Sequence, residues 1–226
     1  MLVTLDAVLT PAELQHVRDQ LAKAPWAQNQ NAGPQALLAK HNLQIPEGNE
    51  ALKGLRLTVM RSLNRSSKLM SAALPNKIVP PNFNRYTLDN NRYGWHTDST
   101  LRYLPDGSCL RTDVSATLFL SDPADYEGGE LVIEDTYGEH KVKLAAGSLV
   151  LYPAGSIHQV SPVTRGERLA CYLFIQSVVK DTGCRSHLYE MDLALMALRQ
   201  KHGEAQPEVI RLTGLYNNLL RRWSEC

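Results

Sequence analysis

A histidine and an aspartate lie two positions apart in the segment YGWHTDSTLR, residues 93–102. The flanking residues are typical of a β-strand, in which the side chains at positions i and i+2 point to the same face, about 6 to 7 Å apart. His96 and Asp98 can therefore face one point, where an imidazole nitrogen and a carboxylate oxygen would bind a metal ion. The pair alone does not establish a site, because such pairs also arise by chance.

A second histidine strengthens the metal hypothesis. His158 follows the segment SLVLYPAGS, on what we expect to be the next strand of the same β-structure. Two histidines and one carboxylate on adjacent strands form the facial triad that suits non-haem Fe(II) and leaves about three coordination positions open. Zinc normally takes a tetrahedral site, and it is the metal expected to compete most strongly with Fe(II) for these ligands.

A guanidinium lies ten residues after the second histidine. Arg168 belongs to the strand RLACYLFIQSVV, which is apolar on both faces. A charge that points into a barrel is costly unless it meets an anion, and Asp98 and Glu167 are the carboxylates that the sequence offers. The planar guanidinium also suits the carboxylate of a ligand, with charge-assisted hydrogen bonds worth roughly 1.5 to 3 kcal/mol. The alternative is an arginine near the strand end that extends to solvent.

Strands must position these residues. From Asn76 onward, short runs rich in Val, Ile, Leu, Tyr and Thr alternate with turn residues. About eight such strands without long intervening helices predict a mainly β fold, a double-stranded β-helix or jelly roll, rather than a parallel α/β sheet. The strand that begins at Arg168 needs cover on both faces, so we expect the N-terminal helices to pack on the outer sheet.

Helical patterns flank the predicted roll. Thr10, followed by Pro11 and Glu13, is a capping box that predicts a helix from Pro11 to Ala24. Residues 49–74 carry apolar residues at helical spacing, with a break near residues 64–67.

The chain between and beyond these helices completes the predicted organisation. Residues 28–35 have the composition of a loop, and after Ser186 the pattern predicts a helical hairpin that caps the barrel or makes a dimer contact. We divide the chain into an N-terminal helical support region (1–75), a jelly-roll core (76–180) and a C-terminal helical extension (181–226).

The composition excludes some classes of partner. Lys plus Arg is 24 and Asp plus Glu is 23, so a formal charge of +1 gives no electrostatic reason to expect nucleic acid or an anionic membrane. No secretion signal and no run of about 20 apolar residues is present, which predicts a cytoplasmic protein. The cysteines lack CxxC spacing and are expected to be free thiols: Cys109, Cys171, Cys184 and Cys226.

The motifs together resemble the Fe(II)/2-oxoglutarate-dependent dioxygenases of the prolyl-4-hydroxylase type. More narrowly, the chain is similar to the bacterial PKHD-type hydroxylases, a family associated with iron uptake. The likeness spans most of the chain and lies in the segments FNRY (83–86), YGWHTDSTLR (93–102), YEGGELVIED (126–135), YPAGSIHQVSPVTRGER (152–168) and LTGLYNNLLRRW (212–223).

The resemblance implies a complete site. Fe(II) would be bound by His96, Asp98 and His158, and 2-oxoglutarate would chelate the iron while Arg168 pairs with its distal C5 carboxylate. Tyr86 lies where related enzymes place a tyrosine that hydrogen-bonds this cosubstrate. Dioxygen would be consumed, 2-oxoglutarate would become succinate, and a small-molecule or peptide substrate would gain a hydroxyl group. L-ascorbate is a further implied cofactor. The homo-oligomer contact through the C-terminal helices is expected from their sequence pattern and not from the resemblance.

Alternatives remain open at this point. A jelly-roll sensor that binds iron or 2-oxoglutarate without turnover uses the same triad, and a sensor of the metal alone does not need Arg168. A zinc hydrolase is less well supported, because the sequence has no His-Glu-x-x-His helix.

Other polar motifs have plainer interpretations. Tyr93 is a candidate for lining the pocket, although the sequence favours plain core packing. The segment 39–44 is either the substrate entrance or an ordered loop, EGGE at 127–130 is typical of a turn or bulge, and Arg221 with Arg222 of a solvated helix end. Five histidines without partners at ligand spacing are expected on the surface or in packing: His16, His41, His140, His187 and His202.

Overall fold

The structure is a computed structural model that describes residues 1–28, 38–104 and 107–225. Within these ranges the chain forms five α-helices and seventeen strands. The helices are α1 (Pro11–Leu21), α2 (Glu50–Arg65), α3 (Ser67–Ala73), α4 (Thr182–His202) and α5 (Pro207–Trp223). The strands are β1 (Val3–Leu5), β2 (Ala27–Gln28), β3 (Lys40–His41), β4 (Leu43–Gln44), β5 (Pro75–Ile78), β6 (Asn82–Tyr86), β7 (Arg92–His96), β8 (Leu101–Tyr103), β9 (Cys109–Arg111), β10 (Val114–Phe119), β11 (Tyr126–Gly128), β12 (Leu131–Asp135), β13 (Gly138–Val142), β14 (Leu149–Pro153), β15 (His158–Val160), β16 (Val163–Gly166) and β17 (Arg168–Ser177).

Two antiparallel sheets form the predicted jelly roll. The major sheet has the order β1-β14-β10-β17-β6-β4-β2, with β5 also paired to β17, and the minor sheet has the order β13-β12-β15-β7-β3. Side chains from both sheets share one apolar cluster, in which Phe119 and Val150 of the major sheet pack with Leu131 and Ile133 of the minor sheet. The mainly β fold with a jelly-roll core is therefore confirmed.

Strand β17 shows how the sequence separates the two faces of the major sheet. Cys171, Leu173 and Ile175 belong to a cluster that also contains Leu52 and Val59 of α2. Because side chains alternate along a strand, Arg168 and the residues at every second position after it point to the opposite, inner face. The N-terminal helices thus cover the outer face of the major sheet, as predicted.

The helical boundaries differ slightly from the sequence prediction. α1 ends at Leu21 rather than Ala24. The indole nitrogen of Trp26 donates to the carbonyl of Leu21 at 3.1 Å, which satisfies a carbonyl that one more helical turn would have used. The predicted break near residues 64–67 is confirmed, since Ser66 ends α2 and its hydroxyl caps α3 by accepting from the Leu69 N–H.

The C-terminal hairpin of α4 and α5 is present and turns at Gly203, whose φ of 86° is in the left-handed region. It packs on the helical side of the molecule, where the Ser71 hydroxyl of α3 donates to Asp192 of α4 at 2.5 Å. Arg221 and Arg222 lie exposed in the last turn of α5, as predicted.

From Pro75 onward the described chain has thirteen strands, β5 to β17, where about eight are predicted, because short pairs such as β8 with β9 and β11 with β16 add to the main ones. Four further strands precede this region: β1, which joins the major sheet, and β2, β3 and β4. The predicted loop at 28–35 lies almost wholly outside the described residues. In the described ranges, Cys109, Cys171 and Cys184 are free thiols, and no helix has the length and apolar character needed to cross a bilayer. Cys226 is outside these ranges.

Candidate active site

A cavity of about 1040 Å³ lies between the two sheets. It is lined by all five of the residues that the sequence singled out for the site, which come from four strands and one loop: Tyr86, His96, Asp98, His158 and Arg168. Residues up to 82 positions apart in the chain therefore share one space.

The two histidines are brought together by strand pairing. His96 ends β7 and lies directly opposite His158, the first residue of β15, with ring centroids 4.2 Å apart. One ligand atom from each histidine and one carboxylate oxygen of Asp98 all lie within 4.8 Å of one another. This spacing suits three ligands of a single ion and differs from the predicted geometry in one respect. Asp98 follows the end of β7 instead of continuing the strand.

A hydroxyl on the opposite sheet holds the carboxylate in place. The Oγ of Ser115 on β10 donates to Oδ2 of Asp98 at 2.6 Å, and Ser115 is 1% exposed. Asp98 Oδ2 also lies 3.7 Å from Nε2 of His158. The aspartate leaves its strand and spans the gap between the sheets, so its position depends on both of them.

Backbone carbonyls orient both imidazoles in the same way. Nδ1 of His96 lies 2.8 Å from the carbonyl oxygen of Gly94, and Nδ1 of His158 lies 3.0 Å from that of Ser156. A carbonyl can only accept, so each Nδ1 carries the hydrogen and each Nε2 keeps a free lone pair. Burial, and next the neighbouring His158, lower the pKa of His96 to about 4. The neutral ring, which is the form that binds a metal, is therefore favoured.

Arg168 is buried without a partner. It is 1% exposed, and none of its three side-chain nitrogens has a hydrogen-bond partner among the described residues. The rings of Tyr86 and Phe119 flank its guanidinium, with centroids 5.1 and 5.4 Å from Cζ. Glu167, one of the two carboxylates offered by the sequence, pairs instead with Arg85 at 2.5 Å. The solvent-reaching alternative is wrong, and the cation faces the cavity unpaired.

Tyr86 lies beside this arginine on the neighbouring strand. The two residues are directly opposite in the pairing of β6 with β17. Its hydroxyl accepts a hydrogen bond from Nδ2 of Asn42 at 2.9 Å, and burial raises the pKa of the phenol. The hydroxyl therefore stays protonated and keeps its own hydrogen for a ligand in the cavity.

Tyr93 and the segment 39–44 both turn out to line the cavity. The Tyr93 ring stacks on His96 with centroids 3.6 Å apart, and it also packs against the apolar cluster between the sheets. The core packing that the sequence favours is thus only part of its role. In the segment 39–44, Lys40 on β3, Asn42 between the strands and Gln44 on β4 line the cavity.

Two glycines in EGGE form the back of the arginine pocket. Gly128 and Gly129 have φ values of 69° and 65°, and the pairing of β11 with β16 shifts register at this point. A Cβ on Gly128 would lie 1.9 Å from the carbonyl oxygen of Pro162, and one on Gly129 would lie 3.0 Å from Cδ of Arg168. The predicted turn or bulge is confirmed, and only glycine fits it.

Sequence reasoning missed several residues that line or support the cavity. Ser115 and Arg102 carry no local signal, because each reaches the site through pairing with a distant strand or through a loop. The hydrogen bond from Asn42, within the segment 39–44, to Tyr86 has no local signal either. The five other histidines behave as predicted, without metal-ligand geometry in the described chain. His140, for example, pairs with Asp135 at the exposed end of a hairpin.

Two family models match the chain. Residues 81–176 match the 2OG-Fe(II) oxygenase superfamily, and residues 183–225 match the PKHD-type hydroxylase C-terminal domain. The first match contains the triad, Arg168 and Tyr86. Fold and match together define a 2-oxoglutarate-dependent, Fe(II)-dependent oxygenase.

Full-length relatives narrow the assignment. The chain is 56% identical to a PKHD-type hydroxylase of Nitrosomonas europaea and 52% identical to one of Azoarcus, with 100% of both chains covered in each case. The protein therefore belongs to the PKHD-type hydroxylases, as its sequence motifs predict, and it is an enzyme.

Solved structures with the same fold are more distant. A prolyl hydroxylase of Trichoplax adhaerens, in complex with a hypoxia inducible factor peptide fragment, is 16% identical with a TM-score of 0.56, over 78% of this chain and 83% of that one. HygX of Streptomyces hygroscopicus, with nickel, 2-oxoglutarate and hygromycin B bound, is 15% identical with a TM-score of 0.52, over 78% and 82%. Both show the shared fold.

Proposed function

We propose that the cavity binds Fe(II) through His96, Asp98 and His158, and 2-oxoglutarate with its distal carboxylate against Arg168, in order to hydroxylate a substrate. The observation that carries this assignment is the buried, unpaired guanidinium. A folded protein pays several kcal/mol for such a charge unless an anion joins it, so the site is built for an anionic ligand. A dicarboxylate that also reaches the triad meets this requirement.

The donor set fits the proposed metal. Two neutral imidazoles and one carboxylate leave about three coordination positions free, which suffice for two atoms of 2-oxoglutarate and one of dioxygen. When bound, Fe(II) and 2-oxoglutarate supply the oxidising chemistry, in which one oxygen atom goes to succinate and the other to the substrate.

The protein's own groups position these reactants. The Gly94 and Ser156 carbonyls accept hydrogen bonds from Nδ1 of the two imidazoles, which leaves the Nε2 lone pairs for the metal. Ser115 holds the Asp98 carboxylate. Tyr86 can donate its phenolic hydrogen to the carboxylate that Arg168 pairs with, and the surrounding apolar residues exclude water from this ion pair.

The direct test is the replacement of Asp98. Anaerobic Fe(II) with 2-oxoglutarate is expected to give the wild-type protein a weak visible charge-transfer band, and Asp98→Ala should lose that band together with at least about 1,000-fold of the succinate-forming activity. Asp19→Ala, which removes an exposed aspartate of α1 on the outer side of the major sheet, is the matched control and should retain both. Iron-loaded, folded wild-type protein without the band would refute the proposal.

Turnover separates the enzyme from the non-catalytic sensor alternative. The enzyme should release succinate from 2-oxoglutarate slowly even without substrate, whereas a sensor should bind and release it unchanged. Membership in the hydroxylase family favours the enzyme, and none of the matches supports the sensor.

The proposed substrate is a peptide or protein side chain, with a small molecule as the alternative. A gain of one oxygen in extracts incubated with enzyme, iron and 2-oxoglutarate, followed by mass spectrometry, would identify it. The link to iron uptake and a stimulation by L-ascorbate stay predictions from the resemblance. The cytoplasmic location and a homo-oligomer through α4 and α5 stay predictions from the sequence pattern.

A further inference from the structure

Two further cations line the same cavity, away from Arg168. Lys40 on β3 and Arg102 on β8 are both half-buried. Cζ of Arg102 lies 3.4 Å from the ring centroid of Phe174. Phe174 follows Arg168 by six positions on the inner face of β17, which corresponds to about 20 Å of extended strand. The cavity thus has cationic groups at two well-separated ends.

Neither of these cations has an anionic partner. In the part of the chain that the structure describes, Lys40 and Arg102 form no ion pair, and the buried Nε of Arg102 has no hydrogen-bond partner. The ammonium nitrogen Nζ of Lys40 lies instead over aromatic rings, 5.3 Å from the ring centroid of Tyr93 and 5.7 Å from that of Tyr172. Burial, and next the charge of Arg102, lower the pKa of Lys40 to about 8. The carboxylate of Asp98 attracts both cations, but the proposed site assigns that carboxylate to the metal, so the repulsion between Lys40 and Arg102 remains.

The charges of the proposed reactants leave this pair uncompensated. One carboxylate from Asp98 and two from 2-oxoglutarate balance the double charge of Fe(II) and the single charge of Arg168. Glu47, the other acidic residue among the described residues of the cavity wall, already pairs with Arg56 at 2.7 Å. Once metal and cosubstrate are bound, two positive charges remain for the third reactant.

We infer that the substrate carries an oxyanion, a carboxylate or a phosphate, that binds between Lys40 and Arg102 at the end of the cavity away from Arg168. This inference rests on the proposed function, because it assigns Arg168 and the triad to the cosubstrate and metal. The guanidinium offers a planar fork for two oxygens of such a group, and the ammonium adds a compact charge with three donors. The oxyanion would anchor the substrate, and its distance from the reacting carbon would decide which carbon faces the triad.

A binding experiment tests this without any turnover. Protein loaded with Zn(II) and 2-oxoglutarate, which fill the triad and Arg168, is titrated in parallel with inorganic phosphate and with the α-amide of N-acetylglutamate, which has one carboxylate. The α-amide of N-acetylglutamine, which has none, serves as the uncharged comparison. We expect the wild type to bind at least one of the two anions and not the uncharged amide. Binding of phosphate alone, of the carboxylate alone, or of both would tell which oxyanion the site prefers.

Matched double variants locate the binding. Lys40→Met with Arg102→Met keeps side-chain length and apolar stem, and should weaken anion binding at least tenfold. Lys141→Met with Arg222→Met removes the same two charges from exposed positions and should leave anion affinity unchanged. Equal loss or equal retention in both double variants, or no anion binding by the wild type, would overturn the inference whatever the activity of the enzyme.

A turnover experiment adds the natural substrate. A bacterial extract is divided on an anion exchanger, and each fraction is assayed for the ratio of succinate release with and without that fraction, so that a general loss of activity cancels. The stimulating compound should be in the retained fraction, and the ratio should fall towards one in the Lys40/Arg102 double variant. Stimulation only by the unretained fraction would overturn the anionic substrate but keep the oxygenase. A complete absence of 2-oxoglutarate consumption would instead contradict the proposed function.

Discussion

Two arginines in this protein are equally buried but lie in opposite surroundings. Arg168 is 1% exposed and Arg185 is 2% exposed. Arg185 at the start of α4 donates from Nη1 to the carbonyl oxygens of Val179 and Lys180, at 2.7 and 2.8 Å, and from Nη2 to the Thr182 hydroxyl at 3.0 Å. Arg168 donates to no group in the described chain and faces a cavity.

The difference separates a structural cation from a binding cation. Arg185 has its acceptors supplied by the fold, so its charge stabilises the junction between β17 and α4. Arg168 has been desolvated by the same fold without acceptors, which costs stability until a ligand supplies them. Equal burial therefore says little about role, whereas the set of partners says a great deal.

The largest effect is expected when Arg168 is removed. Arg168→Met should weaken 2-oxoglutarate binding by at least about 100-fold, because two charge-assisted hydrogen bonds of roughly 1.5 to 3 kcal/mol each are lost. The charge-transfer band at a fixed 2-oxoglutarate concentration measures this directly. Without 2-oxoglutarate, the free energy of unfolding should stay within about 1 kcal/mol of the wild type or rise, since an unpaired buried charge is gone.

The reciprocal change is expected at the other arginine. Arg185→Met should lower the free energy of unfolding by about 2 to 4 kcal/mol, because the Val179 and Lys180 carbonyls lose a charged donor. The affinity for 2-oxoglutarate should remain that of the wild type. Urea unfolding and band titration on both variants form the complete comparison, and a loss of 2-oxoglutarate affinity in Arg185→Met as large as in Arg168→Met would remove the distinction.

A smaller loss of 2-oxoglutarate affinity is expected from a substitution of Tyr86, which lies beside Arg168. Tyr86→Phe keeps the ring beside the guanidinium and removes only the hydroxyl that Asn42 contacts. The loss of one hydrogen bond to the cosubstrate should raise the dissociation constant of 2-oxoglutarate about fivefold, which is near 1 kcal/mol. Tyr137→Phe, at an exposed position far from the cavity, is the control and should change nothing. An unaltered affinity in Tyr86→Phe would show that the hydroxyl serves Asn42 alone.

The smallest effect is expected at an exposed arginine, which completes the series. Arg65 donates two hydrogen bonds to Glu13, at 2.9 and 2.8 Å. This pairing is the main reason why the pKa of Glu13 is lowered from 4.5 to about 2. A carboxyl with a lowered pKa stabilises the fold above pH 4.5 and loses that contribution as the pH falls towards 2.

The test of the exposed pair is a pH series of unfolding. Arg65→Gln should be only slightly less stable than the wild type at neutral pH, and by less than Arg185→Met, because solvent screens the pair. The difference should shrink as the pH is lowered through the same window. A difference that is constant from neutral pH to pH 2 would mean that Arg65 stabilises through packing alone.

The sequence predicts the site residues because their types are rare in strands and their spacing is regular. The two-residue period of a strand marks His96 and Asp98 as a pair in the sequence, although Asp98 lies just beyond the end of β7, and an arginine in an apolar strand is conspicuous whatever its partners. The jelly roll and the outer helices follow from the same periodicities. The domain boundaries at 75 and 180 stay predictions.

The site residues that the sequence does not predict depend on contacts between distant segments. Ser115 reaches Asp98 only because β10 lies across the cavity from the end of β7. No local pattern in the β10 segment VSATLF predicts this contact. Lys40 and Arg102 converge through a two-residue strand and a short hairpin, elements too brief to show any period. The pairing register, which no single segment carries, decides these neighbours.

The double-glycine turn at 128–129 has a consequence for how this enzyme can change. A methyl group on Gly129 would lie 3.0 Å from the Arg168 stem and 2.9 Å from the Val163 side chain, so bare main chain closes this side of the arginine pocket. Any side chain at this position would crowd the stem. Because glycine is already the smallest residue, the pocket can be enlarged on this side only by a change in the course of the loop, and not by a single substitution.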